Sequence, residues 1–377
     1  MIRWIVLGII LLLGWGSSLF TMAQQAGVET SCPPQTPNSF CTLYLKNRKQ
    51  TSELVFSSDG QLVAAAYNSS SQEENDPVIF VWKVATGQLV YELKGHLNTI
   101  TSVSFSPDGR MLASSSLALN PSGYGGGIKL WDLSTGKEIR ALQPPRGVNG
   151  FALAFSPNGK LLATTSCILE LPGSDCAQAD IILWDPLTGA EIRRISLGDL
   201  GGMLSLRILS LAFVSDELLA AGLRAAIMLV NVRTGHLERA LLGQGGFITI
   251  SPNRELLVAH EASDIVGAWK MPHGTWLGSI KFGNVLSLSF TPDGRFLAGG
   301  EIPLSPEIRD RRFVQIWKVG TRLEDWQVAR ILSIPLPIIG SGLKDSLFSP
   351  RGNLLAIGGY TRFSDAIVQL WYIKDLQ

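Results

Sequence analysis

Phe105-Ser-Pro-Asp-Gly109, Met111-Leu-Ala-Ser-Ser-Ser116 and Ile128-Lys-Leu-Trp131-Asp132-Leu-Ser-Thr-Gly136 are pieces of one stretch, and their order decides the fold. The first ends in a turn. Pro favours the first central position and Asp-Gly completes it, between apolar runs that alternate. The second and third are short runs with two-residue periodicity, and the third closes on a second Gly turn. Four strands follow from this reading: Ser102–Ser106, Met111–Ser116, Ile128–Leu133 and Glu138–Leu142. Such a hairpin-built sheet cannot bury both of its faces alone.

Working outward, the same unit recurs along the chain. The first turn returns as Phe56-Ser-Ser-Asp-Gly60, Phe155-Ser-Pro-Asn-Gly159, Phe290-Thr-Pro-Asp-Gly294 and Phe348-Ser-Pro-Arg-Gly352. Degenerate copies stand at Phe213-Val-Ser-Asp-Glu217 and Ile250-Ser-Pro-Asn-Arg254. The second signal returns at Trp82, Trp184, Val230, Trp269, Trp317 and Trp371. Seven copies in register point to stacking sheets arranged in a ring. The chain ends shortly after Ile373, which leaves the last copy without a fourth strand. Residues 41–48, with the alternation of an outer strand, are expected to complete that seventh blade.

The two Trp-Asp pairs, Trp131-Asp132 and Trp184-Asp185, and the dipeptide Gly95-His96 give the chain a resemblance to the WD-repeat β-propeller family. The resemblance covers nearly everything from about residue 43 onward. It implies an all-β, seven-bladed β-propeller of four-stranded antiparallel blades, with Trp82, Trp131, Trp184, Trp269, Trp317 and Trp371 as structural residues. It also implies that His96 joins Ser114 or Ser115 and Trp131 in a hydrogen-bonded structural network. Only Asp76 and Asp365 hold the family's acidic position six residues before the Trp. The copy with His96 has Gly125 there, so no blade is expected to carry the whole polar network.

Connection lengths vary unevenly. The interval from the first turn to the Trp, or to Val230, runs from 13 residues (Glu217 to Val230) to 25 (Gly159 to Trp184). The next interval, as from Trp82 to Gly87, is five residues in the first five copies. In an up-and-down blade, alternate connections lie on opposite faces, so the insertions Tyr67–Pro77, Leu117–Gly127, Cys167–Asp180, Glu301–Arg312 and Tyr360–Ala366 gather on one face. Insertions confined to one face often mark the binding face. Arg and Tyr are over-represented in interface hot spots. Tyr124, Arg309, Arg311, Arg312, Tyr360, Arg362 and Phe363 are therefore the candidate residues for contacting a protein or peptide partner.

The N-terminus reads differently. Arg3, the apolar run from Trp4 and the small-residue site Thr21-Met22-Ala23 describe a secretory signal over residues 1–23. The rival is an uncleaved anchor through residues 4–20, because that run approaches a spanning length. Either reading puts the chain outside the cytoplasm, in the periplasm or the extracellular space, and the anchor reading also tethers it to a membrane through residues 4–20. Residues 24–42 read as a leader and 43–377 as the propeller. The four cysteines support export: Cys32 and Cys41, like Cys167 and Cys176, lie nine residues apart, a pattern of two short-loop disulfides.

Chemistry is sparse. The four histidines, His96, His236, His260 and His273, form no H-E-x-x-H, and no nucleophile elbow, P-loop or dinucleotide fingerprint is present. Asp108 and Asp293 belong to turns, where they supply local hydrogen bonds rather than metal ligands. Asn68-Ser-Ser70 is a glycosylation sequon if the source has that machinery. With 32 Lys+Arg against 31 Asp+Glu, the chain lacks the general basic excess of a non-specific nucleic-acid binder. Only 17% of residues are charged, which fits strands covered on both faces. The sequence thus predicts a monomeric, non-catalytic scaffold with no cofactor and no metal. The alternative is a periplasmic or secreted hydrolase or lyase with carboxylates and arginines at the mouth of the central channel.

Overall fold

In the computed structural model, residues 28–31, 40–45, 50–68, 77–117, 127–142, 152–169, 176–197, 207–242, 246–262, 265–281, 285–301, 312–320, 322–334, 345–360 and 366–373 are described. These form seven antiparallel sheets. Within each of blades 1–6, four strands follow one another in chain order: residues 50–94, 100–142, 153–196, 208–242, 248–281 and 285–334. In blade 2 the strands are Ile100–Phe105, Met111–Ser116, Gly127–Asp132 and Lys137–Leu142.

Blade 7 is assembled from both ends of the chain. Its first three strands are Asp345–Phe348, Leu354–Tyr360 and Ala366–Tyr372, and the fourth is Phe40–Leu45, paired from Phe40↔Trp371 to Leu45↔Ala366. Val28–Ser31 then adds a fifth strand, in register from Val28↔Leu45 to Ser31↔Thr42. Residues read as leader therefore hold a short strand, one too brief and too polar to show a hydrophobic period. Residues 1–27 lie outside the described residues, and with them the expected signal or anchor. Among the described residues no helix is long and apolar enough to cross a membrane.

The core is divided into wedges rather than gathered at a centre. Among the described residues, one apolar cluster fills each of the seven seams between neighbouring blades. Ala64, Val81, Val103, Leu112 and Trp131 belong to the seam of blades 1 and 2; Leu43, Leu54, Phe80, Ala356 and Val368 belong to that of blades 7 and 1. The tryptophans of blades 1, 2, 3, 5 and 7 each pack in the wedge toward the preceding blade, and Val230 fills the same place in blade 4. Second and third strands are buried on both faces, which is why Ala64, Ala65 and Ala66 are sealed from solvent while most of Glu191–Ser196, an outermost strand, is exposed. Fully burying a large apolar side chain stabilises by roughly 1.5–3 kcal/mol. The seams therefore hold the ring together.

Candidate functional site

One face of the ring carries short connections. In blade 2 the Gly109 amide donates to the Ser106 carbonyl (2.9 Å), Ser106 Oγ donates to Asp108 Oδ1 (2.6 Å) and the Met111 amide donates to Ser106 Oγ (2.9 Å). The Ser106 hydroxyl, with help from the Arg110 amide, holds the Asp108 carboxyl below its ordinary range. Ser251 with Asn253 and Thr291 with Asp293 repeat this hydroxyl–Asx bond. These carboxylates are engaged in closing turns. Among the described residues no group of three or more His, Cys, Asp or Glu is placed to hold a metal ion.

The opposite face carries the connections between second and third strands. The one in blade 3 is largely strand: Leu162–Leu169 and Cys176–Trp184 pair out to Leu169↔Cys176, so much of the insertion 167–180 is an extended hairpin. Tyr360 closes the second strand of blade 7, and Arg312 opens the third strand of blade 6, both at this face and on neighbouring blades. Tyr124, Arg309, Arg311, Arg362 and Phe363 lie outside the described residues. Cys41 and Cys167 are each disulfide-bonded.

His96 is buried in blade 2. Its Nε2 lies 2.6 Å from Ser114 Oγ and its Nδ1 lies 3.0 Å from Ser116 Oγ, while Trp131 Nε1 donates to Ser114 Oγ at 2.8 Å. Ser115 Oγ instead lies 3.0 Å from Thr101 Oγ1. Burial, and secondarily the Lys129 ammonium, pushes the His96 pKa down to about 3. The imidazole is therefore neutral and structural. Asn68 is also committed: its amide nitrogen donates to the Ile100 carbonyl (3.0 Å) and its oxygen accepts from the Ile100 amide (2.8 Å). A buried amide clamping blade 1 to blade 2 does not serve as a glycan acceptor.

The perimeter holds residues the sequence reading passed over. Tyr91 Oη donates to the Leu133 carbonyl (2.9 Å), Arg140 Nη2 to the Leu187 carbonyl (3.2 Å) and Arg193 Nη1 to the Thr234 carbonyl (3.3 Å). Each is a latch from an outermost strand onto the turn of the next blade. The signal was constant spacing, since Tyr91, Arg140, Arg193 and Arg239 each stand nine residues after Trp82, Trp131, Trp184 or Val230. Where the fourth latch would close, between blades 4 and 5, a cleft of about 330 Å³ opens, lined by Arg239, Leu241, Leu242, Trp269, Gly274 and Trp276. In blade 5 the corresponding position is Gly278, and Leu323 of blade 6 packs into the space a side chain would take. Leu323 opens a short 3₁₀ turn, Leu323–Asp325, that the sequence reading did not anticipate.

The family model described as WD domain, G-beta repeat matches residues 87–132. Among curated proteins, the chain is 32% identical over 136 residues to the Periodic tryptophan protein 2 homolog of Schizosaccharomyces pombe, covering 36% of this chain and 14% of that protein. It is 37% identical over 111 residues to the U3 small nucleolar RNA-associated protein 21 of Saccharomyces cerevisiae, covering 28% and 11%. It is 26% identical over 129 residues to the Eukaryotic translation initiation factor 3 subunit I of Debaryomyces hansenii, covering 34% and 32%. The chain thus spans about a third or less of these relatives' lengths. Among solved structures, the Cps50 (Swd1) beta-propeller domain of Myceliophteria thermophila superposes with a TM-score of 0.66 at 16% identity, over 88% of this chain and 98% of that one. That likeness concerns the fold.

These relatives overturn the expectation of an exported, periplasmic or extracellular protein. A nucleolar RNA-associated protein and a translation initiation factor subunit work inside the cell. The apolar run Trp4–Phe20 has a composition shared by signals, anchors and buried helices, so hydropathy by itself does not fix a compartment.

Proposed function

We propose that this chain, a WD-repeat β-propeller, is a non-catalytic scaffold that holds a protein or peptide partner on its long-loop face. The observation that carries the proposal is the contrast between faces. On one, Ser, Asp, Asn and Gly are consumed in closing similar turns. On the other, the connections differ in length and chemistry from blade to blade. The contact patch is assigned to Arg309, Arg311 and Arg312 of blade 6 with Tyr360, Arg362 and Phe363 of blade 7, and to Tyr124 of blade 2. The relatives' names support this reading, since a factor subunit and an RNA-associated protein are members of assemblies. The propeller unit runs through residue 377 from about residue 43, joined by the strand that begins at Phe40.

The cysteines are assigned as Cys167–Cys176 and Cys32–Cys41. The first pair belongs to adjacent strands, with Cys167 opposite Ala179 and Cys176 opposite Leu169. The second is supported by the register ending at Ser31↔Thr42, since Cys32 and Cys41 are the next residues in sequence. Peptide mapping without reductant tests both pairs.

The scaffold is tested by affinity purification of the tagged full chain, compared with a variant carrying Arg309→Ala, Arg311→Ala and Arg312→Ala. Loss of a reproducible partner in the variant, with an unchanged melting profile, is the expected outcome. A partner retained at full yield removes the patch, and turnover of an ester or glycan panel with no partner removes the scaffold.

A further inference from the structure

Three latches on the perimeter are closed and one is open. Tyr91, Arg140 and Arg193 spend their polar tips on backbone carbonyls of the next blade. Arg239 occupies the same place on the outermost strand of blade 4, Leu237–Leu242, yet makes no hydrogen bond or ion pair among the described residues. Among the described residues it is the only charged side chain lining the cleft, and none of the lining residues carries a carboxylate.

The other side chains lining the cleft are apolar and packed in place. Trp276, on the outermost strand of blade 5, Thr275–Lys281, leans on Trp269 with ring centroids 4.8 Å apart. Gly267 makes the room, because a Cβ there would come within 2.9 Å of both indoles. Leu241 is buried and seals the inner wall. Leu242 is 79% exposed and Trp276 47% exposed, so two large apolar side chains border an uncommitted guanidinium. Trp and Arg are the residue types enriched in interface hot spots, and here the two stand together at an exposed seam.

We propose that this cleft docks an extended segment of a partner protein in which aliphatic side chains precede a carboxylate. The aliphatic groups cover Leu242 and Trp276, and the carboxylate accepts a bidentate pair of bonds from Arg239. A volume of about 330 Å³ accommodates one or two side chains, which limits the docked element to a short motif. The unpaired edge of blade 4's outermost strand lies alongside for main-chain pairing with an extended peptide. The inference shares the scaffold premise but uses another surface, so the two fail separately.

The probe is a fluorescein-labelled peptide, GSLLEDSG, titrated with the full chain by anisotropy, with GSLLKKSG as its charge-reversed control. The acidic peptide is expected to bind and the basic one not. Arg239→Glu is expected to weaken the acidic peptide at least ten-fold and to favour the basic one, with little change in melting temperature because the Arg239 guanidinium makes no hydrogen bond or ion pair among the described residues. Leu242→Asp, at an exposed position, provides a second variant with the same expected loss for GSLLEDSG. Equal binding of both peptides, no binding up to millimolar protein, or binding indifferent to Arg239→Glu overturns the cleft. If the purified chain still captures its partner in that case, the long-loop scaffold stands without it.

Discussion

Blades 1 and 2 carry a tryptophan at the same register and treat its indole N–H in opposite ways. Trp131 donates to Ser114 Oγ at 2.8 Å, whereas Trp82 Nε1 is buried without a partner among the described residues, and so is the hydroxyl of Tyr67 beside it. In blades 2, 3, 6 and 7 one of two positions supplies the acceptor. One is the residue two past the tryptophan's cross-strand partner, filled by Ser114 in blade 2 and Thr164 in blade 3. The other is two residues before the tryptophan, filled by Gln315 in blade 6 and Gln369 in blade 7. Blade 1 has Ala65 and Phe80 there. It packs aromatics instead: Tyr67 and Phe80 centroids lie 5.4 Å apart, Phe80 and Trp82 5.7 Å. An aromatic pair contributes about 0.5–1.5 kcal/mol beyond its area, close to the net worth of one hydrogen bond. The tryptophan is therefore held primarily by volume, and its hydrogen bond is an addition.

The largest way to separate the two blades is acid. His96 titrates near 3 when folded against 6.5 as its ordinary value, while no histidine stands in blade 1. A group that takes up its proton only on unfolding favours the unfolded chain as pH falls. His96 therefore costs stability progressively from about pH 6.5 down to about 3, by about 1.4 kcal/mol per unit. Denaturant midpoints measured between pH 7.5 and 4.5 should fall, and His96→Gln should flatten that slope. An identical slope in the variant would show that other groups carry the acid sensitivity.

The seam joining these blades gives the next effect. Gly136, at φ +70, sits beneath the Tyr91 ring, whose hydroxyl is tied to the Leu133 carbonyl at 2.9 Å and so resists moving. Gly294 has the same φ, but an added Cβ there would find Pro252 no nearer than 3.7 Å. Both pay about 1 kcal/mol for a left-handed alanine, and only Gly136 adds overpacking of about 1–3 kcal/mol. Gly136→Ala should therefore lower the urea midpoint clearly more than Gly294→Ala does. Equal losses would mean that the latch yields. Smaller again is Ser114→Ala, which removes the acceptor of Trp131 and a partner of His96 together and should cost about 2 kcal/mol.

The repeat count, the strand order and the wedge packing were legible because a hairpin turn is spelled locally in all seven copies and a tryptophan in six of them. The Ser114 relay was readable as a choice between Ser114 and Ser115, since neighbouring residues point to opposite faces and sequence alone does not say which face meets Trp131. The Val28–Ser31 strand was hidden because its ladder is backbone chemistry on a polar tetrapeptide. The latches were hidden for another reason: nine-residue spacing is visible, but the carbonyl each side chain reaches lies more than forty residues away. Compartment was not legible because the apolar run is shared by signals, anchors and buried helices, and paired cysteine spacing constrains which thiols meet rather than where the chain works.

The smallest effect turns the comparison around. Ala65 of blade 1 stands where Ser114 stands in blade 2, fully buried and directly beside the unpartnered Trp82 side of the seam. Ala65→Ser adds a single oxygen at a position that two other blades fill with a hydroxyl, so the backbone there already suits one. The new hydroxyl gives Trp82 Nε1 an acceptor, and the gain should be about 1 kcal/mol. Tyr67→Phe approaches the same seam by subtraction, deleting a buried hydroxyl with no partner, and should be neutral or slightly stabilising. If Ala65→Ser destabilises while Tyr67→Phe stabilises, blade 1 is too tightly packed to admit an acceptor, and its aromatic cluster is the reason the hydrogen bond is missing. If both stabilise, nothing in the packing opposes the bond, and blade 1 lacks it only because residue 65 is alanine.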